Sequence, residues 1–123
     1  MPAPFDDAAY VLMRAYVLST WHYIALLDQN DREIARINYA SDPRCSVAQN
    51  AATGEIAITV RLRGDDPDIN PHRPLRIKGS RLYRDAADGD PLHPSSIDPA
   101  RLVEAGDGIV YTHHLFLPFP TLS

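Results

Sequence analysis

The segment from Glu55 to Arg63 constrains the fold more than any other part of the chain. Ile56, Ile58, Val60 and Leu62 recur at every second position, with Glu55, Ala57, Thr59, Arg61 and Arg63 between them. That period of two belongs to a strand with one buried and one solvated face, whereas a helix would scatter the four aliphatic residues around its circumference. A half-buried strand needs neighbours to bond and a layer to cover it, so the chain must supply a sheet and a core. Thr53-Gly54 forms a turn before it. Gly64 to Pro74, with three prolines and three aspartates, is a loop after it.

The neighbours are legible to different degrees. Asp6 or Asp7 can cap a helix through Ala8 to Ser19, with Tyr10, Met13, Val17 and Arg14 near helical spacing; the competing reading makes Tyr10 to Leu18 a strand. Trp21 to Leu27 and Arg32 to Tyr39, joined by Asp28-Gln29-Asn30-Asp31, read as a β-hairpin. Ser41 to Arg44 reads as a loop around Asp42-Pro43. Leu75, Ile77 and Gly79 alternate with Arg76 and Lys78, and Arg81-Leu82-Tyr83 continues the strand until Asp85 to Pro91 breaks it. Ser96 to Val103 reads as a short helical turn, and Gly106-Asp107-Gly108 opens a last strand from Ile109 to Phe119. The expectation is one mainly β domain over residues 1–123: an antiparallel sandwich, jelly roll or small barrel with a short N-terminal helix. The prolines at 2 and 4 predict an extended arm over 1–7, and Pro118 and Pro120 a C-terminal tail over 118–123.

Composition narrows the function. At 123 residues, 45% hydrophobic and 23% charged, the chain is of a size and make-up that fold around one core. Twelve Lys plus Arg against 16 Asp plus Glu give a net charge of −4, and the basic residues are dispersed, which argues against a nucleic-acid-binding face. No run approaches the roughly 20 apolar residues of a membrane-spanning helix, and the N-terminus lacks the basic start and apolar run of an export signal. Cys45 is the single cysteine. No intrachain disulfide is possible, as expected for synthesis in a reducing cytoplasm.

Residues that can carry chemistry do not fall into a catalytic pattern. His113 and His114 adjoin in a strand and point to opposite faces, so they do not share a metal; His113 falls in register with Ile109, Tyr111, Leu115 and Leu117 as a satisfied core or interface histidine. Asp85, Asp88 and Asp90 around Gly89 lack EF-hand order and read as a solvated turn rather than a calcium loop. Ser80 has no nucleophile elbow around it. Cys45 sits beside Arg44, which lowers a thiol pKa, but a lone cysteine at a loop edge reads as a small apolar residue. No residue is therefore expected to be catalytic or to bind a cofactor or metal, and the protein is expected not to be an enzyme. Arg61, Arg63, Arg76, Lys78 and Arg81 read first as a normal solvated sheet face, with Asp65, Asp66 and Asp68 as counter-charges, and as a basic stripe for an acidic protein surface only if their two strands are neighbours.

Leu75-Arg-Ile-Lys-Gly-Ser-Arg-Leu-Tyr-Arg-Asp-Ala-Ala-Asp-Gly-Asp-Pro-Leu92, followed by Val103-Glu-Ala-Gly-Asp107 and a strand, resembles small tailed-bacteriophage virion proteins of the tail-fibre or head-decoration type. Ala35-Arg36-Ile37-Asn38-Tyr39 is similar to their earlier Tyr-Ala-Arg segment. The chain departs from that pattern at Arg84, at Asp90 and in its proline-rich 65–74 loop. The resemblance implies a non-enzymatic building block located in the virion, binding other virion proteins such as major capsid or tail subunits, as a homo-oligomer and without a cofactor. The candidate subunit contacts are Phe5, Trp21, Tyr23, Arg61, Arg63, Phe116 and Phe119. A carbohydrate- or receptor-binding β-sandwich, stacking aromatic rings on sugars, is the alternative.

Overall fold

The computed structural model describes residues 6–50, 52–102 and 104–117, with the backbone alone at 7 and 96–100. A helix α1 (Asp7–Thr20) precedes seven strands: β1 (Tyr23–Asp28), β2 (Glu33–Asn38), β3 (Cys45–Asn50), β4 (Glu55–Arg63), β5 (Leu75–Tyr83), β6 (His93–Leu102) and β7 (Gly108–Phe116). They form a sheet in the order β2-β1-β5-β6 and a second in the order β3-β4-β7, with every pairing antiparallel. The sheets curl over each other as a half-barrel. β6 and β7 meet along one seam, while β2 and β3 are not bonded to each other on the opposite side. The fold is the mainly β arrangement expected, with its one α-helix at the N-terminal end.

β4 occupies the span its alternation predicts. Ile56, Ile58, Val60 and Leu62 are buried and pack with Ile24 and Leu26 of β1, Ile77 and Leu82 of β5, and Leu102, Tyr111 and Leu115. Arg61 and Arg63 face solvent. The hairpin β1–β2 is also found, and Asp28 holds its turn by accepting the amides of Asn30 at 2.8 Å and Arg32 at 2.9 Å.

α1 settles the choice between helix and strand. Tyr10, Arg14 and Val17 are buried at spacings of four and three, one stripe of a helix. Asp6 occupies the N-cap position without a side-chain cap bond. The helix begins at Asp7, so the arm expected over 1–7 is shorter at its C-terminal side; residues 1–5 and the tail over 118–123 lie outside the described residues, and with them Phe5 and Phe119.

Three expectations are corrected. Cys45, read as a small apolar residue at a loop edge, instead opens a strand to Asn50, a stretch that carried no expectation; its exposed side chains show no alternation, and its pairing with β4 makes it a strand. Ser96 to Val103 is not a helical turn, because β6 runs through it to Leu102, with Pro94 and Pro99 accommodated in a strand bonded only to β5. The face assignment of β5 fails after Ile77. Against β1, Gly79 pairs with Leu27 but Ile77 with Asp28, so Lys78 is an extra residue, a β-bulge. Beyond the bulge the parity flips, so Ser80 and Leu82 point inward, whereas Gly79, read on the face of Leu75 and Ile77, falls on the side of Arg81.

Candidate functional site

The bulge delivers Ser80 to a buried polar chain that joins the two sheets. Ser80 of β5 is opposite Leu26 and fully buried, and β7 brings Tyr111 and His113, also fully buried, against it. Ser80 Oγ lies 2.6 Å from His113 Nδ1 and 2.9 Å from Tyr111 Oη. Tyr111 Oη lies 3.0 Å from the Ser95 carbonyl oxygen, and His93 Nδ1 lies 2.9 Å from His113 Nε2. Sheet one supplies Ser80, His93 and Ser95; sheet two supplies Tyr111 and His113.

Proton accounting fixes the direction of this chain. The Ser95 carbonyl only accepts, so Tyr111 donates to it. The contact between Ser80 and Tyr111 then needs the serine proton, which leaves His113 Nδ1–H as donor to Ser80 and His93 Nδ1–H as donor to His113 Nε2. Each group donates once and no contact lacks a proton. In this arrangement His113 cannot serve as base for Ser80, whose oxygen is moreover shut off from solvent. Burial, with His93 and His114 nearby, pushes the His113 pKa down to about 3, and burial lowers that of His93. Neutral histidine is the state this chain of bonds requires, and its chemical role is to satisfy the polar groups that cross the core.

Other sequence candidates are placed as follows. Arg36 covers the ring of Tyr83 at 3.7 Å from its centroid, bonds Glu33 at 2.6 Å, and donates to the carbonyl oxygens of Asp85 at 3.1 Å and Asp88 at 2.6 Å. A guanidinium therefore holds the loop oxygens that a cation would want, and the ring face that a sugar would want. Among the described residues no three ligand-type side chains converge on a metal position. Cys45 is half-buried, and burial together with the Asp42 carboxylate pushes its thiol up to about 11 against the opposing pull of Arg44, contrary to the lowering expected from Arg44 alone. Arg44 instead binds Asp42 at 2.8 Å, Asp68 at 2.9 Å and Asp66 at 3.2 Å, pinning two loops together. The basic stripe does not form: Arg61 and Arg63 sit on β4 and Arg76, Lys78 and Arg81 on β5, in different sheets.

The expected contact residues separate too. Trp21 lies beside α1, Tyr23 on the outer face of β1 opposite Tyr83, Phe116 opposite Glu55 at the end of β7, and Arg61 and Arg63 on the outer face of β4. The apolar surface that the sequence did not single out is α1 itself. Val11, Leu12 and Tyr16 are 53%, 71% and 56% exposed. A groove of about 380 Å³ runs beside them, lined by Leu12, Met13, Tyr16, Val17, Trp21 and Leu117. Between Ala8 and Thr20 the one charged residue is Arg14, and its guanidinium is turned inward to the Leu117 carbonyl oxygen. The helix thus shows solvent an uncharged face. No helix among the described residues is long and apolar enough to cross a membrane. Comparison of the chain with protein-family models, with curated proteins and with solved structures found no match.

Proposed function

We propose that this chain is a non-enzymatic structural subunit of a tailed-phage virion, docking onto a neighbouring capsid or tail protein through the outer face of α1 and the groove beside it. The observation that carries the proposal is the uncharged, apolar surface of Val11, Leu12 and Tyr16 continuous with a groove floored by Val17 and Trp21. Small soluble domains rarely leave such a patch to water, and contiguous apolar surface marks an interaction site. Its lack of charge selects an equally apolar partner surface, since a charged one would be desolvated without compensation. The buried polar chain adds support, because its serine and histidine protons are committed to holding the sheets together. The virion assignment itself is supported by the resemblance of residues 75–92 and 103–107.

The test is binding of purified chain to heads and to tails assembled without it. Saturable binding to one of the two, lost in Leu12→Glu and Tyr16→Glu variants that keep the wild-type circular dichroism spectrum, is the expected result. No binding to either particle, or unchanged binding by both variants, overturns the proposal.

A further inference from the structure

Hydrogen-bond parity decides what β3 presents to solvent. Gly64 N–H donates to Asp107 C=O at 2.8 Å and Leu117 N–H to Gly54 C=O at 2.7 Å, so the even-numbered residues of β4 bond β7 and the odd-numbered ones bond β3. Arg61 N–H donates to Arg44 C=O at 2.9 Å, which fixes the same parity from the other side. Ser46 and Ala48, opposite Thr59 and Ala57, therefore turn their peptide groups to β4. Val47 and Gln49 turn theirs the other way, to an edge bonded to no described strand. The Cys45 carbonyl faces that edge as well, while its N–H is taken by Asp42 C=O at 3.1 Å.

Exposed edges of this kind are blunted in folded proteins by charges, prolines or bulges. β2 carries Glu33 and Arg36, and β6 carries Pro94 and Pro99. β3 reads Cys-Ser-Val-Ala-Gln-Asn, with neither charge nor proline. It also overhangs the core: Val47 is opposite Ile58, which is fully buried, yet is itself 41% exposed.

We propose that β3 pairs with the β3 of a second copy of this chain, antiparallel about a two-fold axis at Val47, giving one continuous sheet β7-β4-β3-β3-β4-β7. This deepens the assembly reading, on which it rests, by naming one partner. A two-fold axis at Val47 sets that residue against its own mate, where any charge would meet a like charge, and sets Ser46 against Ala48 and Cys45 against Gln49 of the other copy. An edge free of charge meets that condition, whereas a charged partner strand would find nothing to complement it. In this register Val47 N–H and C=O bond reciprocally across the axis, and each Gln49 N–H reaches the Cys45 C=O of the other copy. Both are edge-facing groups, as the pairing demands. The two Val47 side chains then lie side by side on the core face and cover each other.

The same parity supplies the test. Val47→Pro deletes an N–H that faces the edge and leaves the ladder to β4 intact, and a proline suits a strand there. Equilibrium sedimentation of the intact chain should show a dimer of twice 13.7 kDa. Val47→Pro should weaken it at least about tenfold, because it removes both reciprocal bonds, each worth a factor of about five. Val47→Lys, which sets two ammonium groups together, should weaken it too, and added salt should partly restore it. Leu12→Glu should leave the dimer intact while abolishing particle binding, so the two readings fail separately. A wild-type chain that stays monomeric over the concentration range, variants at Val47 that dimerise as the wild type does, or a dimer lost in Leu12→Glu alone would overturn the inference.

Discussion

Lowering the pH from 7.5 to 5 should remove about 2 kcal/mol of folding stability, and His113 should account for most of it. Its folded pKa is held down to about 3 by burial, against 6.5 for a free histidine. The unfolded chain therefore takes up a proton below about pH 6.5 that the folded chain refuses. Because the unfolded state binds more protons in this window, stability rises with pH across it and is lost as pH falls from 6.5 towards 3. One proton per molecule is worth about 1.4 kcal/mol per pH unit, so 1.5 units below the unfolded pKa gives about 2 kcal/mol. His93, also lowered by burial, acts in the same direction. Asp42 acts over a lower range, because the hydrogen bond from Arg44 holds its carboxyl below the ordinary value of 3.8, so its contribution is lost as the pH falls towards and below that value. The assay is urea denaturation at closely spaced pH values, comparing wild type with His113→Gln, whose amide keeps one donor and one acceptor at similar reach. The variant should start less stable and lose about one proton's worth of slope. A wild-type stability that is flat between pH 7 and 5, or a His113→Gln protein with the wild-type slope, would refute the assignment of His113 as a neutral, solvent-excluded link.

Two further outcomes follow from the core. Ser80→Ala should cost about 1 to 3 kcal/mol in urea denaturation, since it strands the His113 N–H and removes the donor to Tyr111 in a region closed to water. Ile58→Asp should yield no folded protein, because a carboxylate would enter a position with no exposure. Arg61→Glu on the opposite face of the same strand should change stability by no more than about 0.5 kcal/mol; circular dichroism on the pair checks both.

How far the sequence could be read depended on whether burial followed the local period. β4 has one face wholly inside and one wholly outside, so its pattern and its structure coincide. α1 carries a stripe of only Tyr10, Arg14 and Val17 with apolar residues on its outer side as well, so its hydrophobicity gave no clean face; the uncharged outer side is the reason, and it is also the surface assigned to docking. β3 shows no pattern because almost all of it is exposed. Its strand conformation comes from β4, a tertiary cause that no window of its own residues contains. β6 was obscured by two prolines, which read as breakers but are tolerated in a strand with a single bonded neighbour in its sheet.

The buried polar chain was hidden by one residue. With Lys78 included, Leu75, Ile77 and Gly79 share a face and Ser80 falls outside with Arg76. With Lys78 passed over, Leu75, Ile77, Ser80 and Leu82 fall on one face in strict alternation with Arg76, Gly79 and Arg81, and the structure buries all four of them. The sequence does hold a signal for this: a run of β-type residues in which two separate alternating registers, Leu75 to Ile77 and Ser80 to Leu82, are out of phase by one. A bulge is the only way for both to keep their aliphatic residues inside. The serine between them then becomes an inward polar group needing partners, and the inward histidine of the last strand becomes the group able to provide one. His113, read from its register as a satisfied core histidine, is satisfied by a serine whose own register could be seen only by allowing the strand one extra residue.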